Sequence, residues 1–271
     1  MKLSMMKVSL AVAVVMHVSS VAGAGFPTFP VRQCAPDAVL AGTVCLDRYE
    51  ASVWRLPNPT TTNASLVRKI QLGRATPADL TAGGATQLGT ASDDYAPCAD
   101  NGQNCGNDIY AVSLPSEIPS ADITWFQAQE ACANAGKRLP TNAEWQVGAN
   151  GTPDPGPDNG TTDCNSASDD GVSLTGARTS CVSARGAFDM VGNLAEWVAD
   201  WVPAPTMCPG WGSFSNDDMC LSGASTVAKG PGALVRGGAF AGLDGEEDGP
   251  LAVHIFQPFH SNNFVGFRCA R

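Results

Sequence analysis

Ten cysteines hold most of the chemical potential of this chain: Cys34, Cys45, Cys98, Cys105, Cys132, Cys164, Cys181, Cys208, Cys220 and Cys269. An even count in an exported chain reads as a disulfide framework, because an oxidising compartment leaves few thiols free. No Cys-x-x-Cys pair and no zinc-type cysteine and histidine cluster occurs. His17, His254 and His260 are the whole histidine set, too few for a multi-histidine iron or copper centre. His254 and His260 stand among Ile255, Phe256, Pro258 and Phe259, a setting for packed or surface rings rather than ligands. No Ser/His/Asp order or phosphate loop emerges, and Gly237-Gly238 lacks the strand, helix and downstream acid of a dinucleotide site.

The other concentrated chemistry is acidic. Asp244, Glu246, Glu247 and Asp248 crowd the Gly-rich stretch 241–250. Such a loop is either simply solvated or forms a cation or cationic-peptide site. The whole chain carries a formal net charge of -10, and it becomes more negative without Lys2 and Lys7. Nucleic acid and anionic membrane surfaces are therefore excluded as partners, since phosphate contacts need clustered Lys and Arg.

Lys2 and Lys7 precede an apolar run from Val8 to Val15, then Ser19, Ser20 and Ala22-Gly23-Ala24. This is the pattern of a secretory signal with a small-x-small cleavage site, and the run is too short to span a bilayer. Residues 1–24 are read as that signal and 25–271 as a single domain, secreted or periplasmic after cleavage. No second long apolar stretch predicts a membrane span, and no Pro/Ser-rich linker or internal repeat divides the rest.

Positioning elements follow from local patterns. With 29 glycines and 19 prolines, long helices should be scarce. Val44 to Trp54 alternates in part and suggests a strand. Residues 57–107, rich in Thr, Asn, Gly and Asp, read as long surface loops with too few large apolar residues for a core. Thr124-Trp125-Phe126-Gln127 and Thr141-Asn142-Ala143-Glu144 are capping boxes, each opening a helix. The first helix should place Trp125, Ala128, Ala131/Cys132 and Ala135 on one stripe and stop at Gly136.

Four ordered motifs then carry a resemblance: Lys137-Arg138-Leu139-Pro140-Thr141-Asn142-Ala143-Glu144-Trp145, Gly186-Ala187-Phe188-Asp189-Met190-Val191-Gly192-Asn193-Leu194-Ala195-Glu196-Trp197, Val235-Arg236-Gly237-Gly238-Ala239-Phe240 and Val265-Gly266-Phe267-Arg268-Cys269. Together they resemble the sulfatase-modifying-factor, or formylglycine-generating enzyme, family from about Tyr49 onward. The resemblance implies a C-type-lectin-like α+β fold, loop-rich and stapled by disulfides. It implies a bridge between Cys132 and Cys269; proximity then pairs Cys34 with Cys45, Cys98 with Cys105, Cys164 with Cys181 and Cys208 with Cys220.

Relatives wrap a calcium ion with the second block. Carried over, Asp189 and Glu196 would supply carboxylates and Gly192 and Leu194 carbonyls, hard oxygens of the kind Ca²⁺ takes. The alternative is a capped helix start without an ion. For a second calcium, Asn165, Ser166 and Asp169 or Asp170 are candidates. The enzymes bind copper through two cysteines that correspond here to Gly242 and Glu247, and a Cu(I) site needs soft thiolates that Gly and Glu cannot supply. The motif serine falls at Ala239, and a tryptophan of the active enzymes falls at Ala195. Cys208 and Cys220 read as a loop-closing pair rather than substitute ligands.

The expectation is an exported, non-catalytic binding or scaffold domain with structural calcium and no copper. The other reading is an oxidase that converts a substrate cysteine to formylglycine. A binding surface would comprise residues 203–223, the 241–250 loop and 254–263, with Trp211, Phe256 and Phe259 as anchors and Asp244, Glu246, Glu247 and Asp248 setting charge preference. The partner would be an extracytoplasmic protein, peptide or glycan.

Overall fold

A computed structural model describes residues 33–153, 158–166, 171–203, 213, 231–242 and 248–271. Arg32–Arg271 forms one compact unit. The signal segment, Asp169, Asp170, Trp211, Asp244, Glu246, Glu247 and the Cys208 and Cys220 pair lie outside the described residues.

In chain order the described elements are β1 (Ala38–Ala41), β2 (Val44–Asp47), β3 (Ala51–Arg55), α1 (Ala64–Gln71), α2 (Pro77–Ala82), β4 (Thr86–Leu88), β5 (Ile109–Ser113), α3 (Trp125–Asn134), α4 (Asn142–Ala149), β6 (Ala195–Pro203), β7 (Pro231–Arg236), β8 (Val253–Phe256) and β9 (Val265–Phe267). No helix exceeds ten residues among them, in keeping with the glycine and proline content. Both expected capping boxes form: Thr124 accepts from the Gln127 amide and Thr141 from the Glu144 amide, and each Gln or Glu side chain reaches back. Gly136 stops α3 with φ +68°, a conformation that costs glycine nothing. Ala128, Ala131 and Cys132 are the buried stripe.

The four-stranded sheet has the order β8-β7-β6-β9. Its strands are covered on both faces. Trp197, Ala233 and Val235 pack into the larger core with α3 and β3–β5, whereas Val198 and Leu234 pack into a second core with Leu46 and Trp145. Two-sided burial explains why all four residues of Ala195–Val198 are buried rather than alternating, Glu196 included. The bridge of Cys132 to Cys269 ties α3 to the end of β9 across 137 residues. Loop closure over that span is worth about 5 kcal/mol. Cys34–Cys45, Cys98–Cys105 and Cys164–Cys181 are also bonded, so four expected pairs are present.

Two expectations need correction. Val44–Trp54 is two strands, β2 and β3, not one. Residues 57–107 do contribute core: α1 buries Leu66 and Ile70, α2 buries Leu80, β4 buries Leu88, and Tyr95 is fully enclosed. The physical reason is economy of spacing. Leu66 and Ile70 are four residues apart on one helical face, and Thr76, Pro77 and Asp79 form a third capping box that launches α2. A handful of well-placed apolar side chains suffices when a sheet already supplies the opposing surface.

Candidate functional site

The block from Asp189 to Trp197 coils before it enters β6. Asp189, Gly192 and Asn193 all adopt positive φ, at 56°, 68° and 61°. At Gly192 a side chain would collide with the Asn165 carbonyl, so only glycine fits between the two strands of loop. No helix starts here among the described residues. Asn193 instead serves as a hub: its carbonyl oxygen accepts from the Asn165 side chain and the Ser173 amide, and its NH₂ donates to Glu50. Glu50 also accepts from the Leu194 amide at 3.0 Å.

Three buried carboxylates, Glu50, Asp189 and Glu196, thus sit around one turn. Arg268 lies against them, itself fully buried. Its Nε donates to Glu196 at 2.7 Å, and its Nη2 donates to the Phe188 and Asp189 carbonyls at 2.8 and 3.2 Å. Trp145 Nε1 donates to the same glutamate at 2.7 Å. Burial pushes the Glu50 carboxyl well above the usual carboxylate range, with the charges of Asp189 and Glu196 adding to the effect. Burial likewise raises Asp189 to about 6. The turn is therefore short of positive charge.

That imbalance, and a set of hard oxygens, fit a calcium ion in part. Asp189 Oδ2 accepts from the Gly176 amide at 2.7 Å, but Oδ1 and the Gly192 carbonyl accept nothing among the described residues. Glu196 fits less well than expected, because Arg268 and Trp145 already occupy both of its oxygens. Among the described residues no three His, Cys, Asp or Glu side chains converge as a metal group, so an ion here would lean on carbonyls. Asn165 and Ser166 do come to this turn; the Asn165 side chain donates to the Gly171 carbonyl and to Asn193 and accepts from Arg178.

A second buried ion network joins the chain ends. Lys137 donates to Asp37 at 2.8 Å and Asp47 at 2.7 Å, and Arg271 pairs with Asp37 at 2.9 Å. Glu50, Lys137 and Arg268 received no role from the sequence alone. The legible signal was an acid or base embedded in apolar sequence, as Glu50 is between Tyr49 and Ala51.

On the outer face, Gly242 occupies one expected copper-ligand position, and Ala239 is fully buried where the serine would stand. Asp248 does not project freely; it packs on Gly238, where a Cβ would meet its carboxylate. Phe256 lies in a column between His254 and His260, with centroids 5.4 and 4.6 Å away and near-parallel planes. Burial lowers the His260 pKa, so its ring stays neutral at neutral pH. Both histidines are stacked rings, as expected. Phe259 is 66% exposed. Nearby, Trp201 meets Trp125 and Phe126 edge to face at 5.0 and 5.8 Å.

Fold and buried site together define an α+β, disulfide-stapled domain whose signature residues bind one another. Residues 93–271 match the model of the sulfatase-modifying factor enzyme 1-like domain, and the chain belongs to that family. Among characterised proteins it is similar to the serine/threonine-protein kinase pkn1 of Chlamydia caviae, 29% identical over 156 residues. The Pkn1 kinase of Chlamydia trachomatis is 28% identical over 159 residues. Each match spans 56% of this chain and 24% of the kinase. Among solved structures, the Major Tropism Determinant I1 variant covers 86% of this chain and 51% of its own, at 20% identity and a TM-score of 0.45. PvdO from Pseudomonas aeruginosa covers 84% of this chain and 80% of its own, at 20% identity and a TM-score of 0.42. No described helix is long and apolar enough to cross a membrane.

Proposed function

We propose that this chain is an exported binding domain that keeps the family scaffold without its copper-dependent oxidation. The observation that carries the reading is the pair of residues at the copper positions, Gly242 and Glu247, neither of which has a sulfur to offer. The four disulfides among the described residues support an extracytoplasmic setting, because such bonds persist where the medium is oxidising. The exposed rings of Trp201 and Phe259, with half-buried Phe256 stacked between His254 and His260, support recognition of a protein, peptide or glycan, since exposed aromatic rings give large contact area at low entropic cost. A test incubates the purified protein with Cu(I), oxygen and a cysteine-containing peptide and follows the peptide mass. The expected spectrum is unchanged; conversion of the cysteine to an aldehyde defeats the reading.

Calcium belongs to the same proposal as a structural ion. Asp189 and the carbonyls of Gly192 and Leu194 would hold it, and it would offset the excess negative charge of the turn. Stripping with EGTA should lower the melting temperature and added Ca²⁺ should restore it, because an ion that binds only the folded state stabilises it. A melting temperature indifferent to both removes calcium from the account.

A further inference from the structure

A cleft of about 320 Å³ opens between the loop after β4, the segment before α3 and the segment after β7. Ile118, Pro119, Val172 and Phe240 give it apolar walls, and Asp122 and Asn263 are its polar side chains besides Thr90. None of its described lining residues is basic. The Asp122 carboxylate, half-buried, accepts no hydrogen bond and makes no ion pair among the described residues. Its backbone sits at φ +53° and is clamped on both sides: the Asp122 amide donates to the Asn262 carbonyl, and the preceding Ala121 donates to the Gly89 carbonyl and accepts from the Tyr95 hydroxyl. A left-handed aspartate held this firmly is a residue whose position is specified while its charge is left unanswered.

The geometry points to a ligand not assigned above: we infer that the cleft takes the aliphatic cation of a lysine or arginine side chain on a partner polypeptide. The methylene stem would lie along Ile118, Val172 and Phe240, as such stems do on apolar surface, and the charged head would meet Asp122. A volume at the low end for ligand pockets suits one side chain rather than a cofactor. Asp93 and Asp94 act on Asp122 with the same sign, after burial itself, so the surroundings deepen the negative potential. This inference rests on the binding reading above and specifies one contact within it.

The test titrates three peptides into the purified protein by saturation-transfer NMR: acetyl-Gly-Lys-Gly-amide, its arginine counterpart and its norleucine counterpart. The basic peptides should bind about tenfold more tightly than the norleucine one, the range of a hydrogen bond to a charged group. Asp122→Asn, which keeps shape and tolerates the left-handed backbone, should erase that difference. Should Asp122→Asn prove unstable, Ile118→Lys replaces an exposed side chain at the mouth and should block the basic peptides by offering its own ammonium. n-Butylamine forms a further arm: binding as tight as the lysyl peptide would overturn the assignment to a polypeptide. Equal affinity for all three peptides, no binding by any, or basic-peptide affinity unchanged in both variants overturns the inference altogether. Any of these leaves the non-oxidase reading standing, and aldehyde formation on a cysteine peptide would remove that reading without touching the cleft.

Discussion

The buried turn at Asp189–Trp197 and the outer face at Phe240–Phe264, with Asp122 held against it through Asn262, both concentrate reactive side chains, yet they are governed by different rules. In the turn, side chains that look catalytic are used up on each other: Glu196 by Arg268 and Trp145, Asn193 by Glu50 and Asn165. On the face, the Phe259 ring is exposed and the Asp122 carboxylate has no hydrogen-bond or ion-pair partner among the described residues. A family signature can therefore be a signature of architecture. Burying charges is costly unless each meets a partner, so a network of this kind tolerates little change, whereas an exposed ring such as Phe259 can be replaced at small cost.

Several variants would break or sharpen that contrast. The largest loss should follow Cys132→Ala with Cys269→Ala, because opening the 137-residue loop forfeits about 5 kcal/mol, read by thermal unfolding. Next, Arg268→Met should cost about 3–5 kcal/mol in urea titration, since it strands buried Glu196. Adding Glu196→Gln to that variant should cost less than the sum of the two single changes; strict additivity would mean that the pair is not a unit. A smaller effect, about 0.5–1 kcal/mol, is expected for Glu144→Gln at neutral pH, because glutamine can still close the α4 capping box, as Gln127 does in α3, but gives up the charge of the Arg138 pair. Hydrogen bonding from Arg138 first of all holds Glu144 down to about 2. A depressed carboxylate stabilises above its unfolded pKa, so the gap between wild type and variant should be full near neutrality and close as pH falls from about 4 towards 2. Phe259→Ser should move stability by less than about 0.5 kcal/mol, because that ring packs little; a loss like that of Arg268→Met would erase the distinction between turn and face.

Much of the scaffold was legible in the sequence. Thr124 and Thr141 announced their helices through the residue three positions on, and the Cys132–Cys269 bridge was implied by the family resemblance. The helices of residues 64–82 were not, since Leu66, Ile70 and Leu80 are sparse among Thr, Asn and Gly and their core partners are distant in sequence. The site was half legible. Asp189, Gly192 and Asn165 do meet at one turn, but Glu50, which lies 143 residues before Asn193, belongs to none of the four motifs and no spacing rule links them. Glu196 was expected as a calcium ligand, yet both of its oxygens accept from Arg268 of the last motif and from Trp145. Long-range pairing of this kind is invisible to local pattern. Asp122 was missed for the opposite reason: a single acid in a loop has no pattern at all until Tyr95, Gly89 and Asn262 are seen to fix it.

The central claim is that the face inherited from catalytic relatives carries no reactive sulfur. Titrating thiols in the denatured, unreduced mature protein, together with metal analysis of the native protein, addresses it most directly. The account predicts no reactive thiol among the ten cysteines and no bound copper. Two titratable thiols, with copper retained by the folded protein, would contradict it.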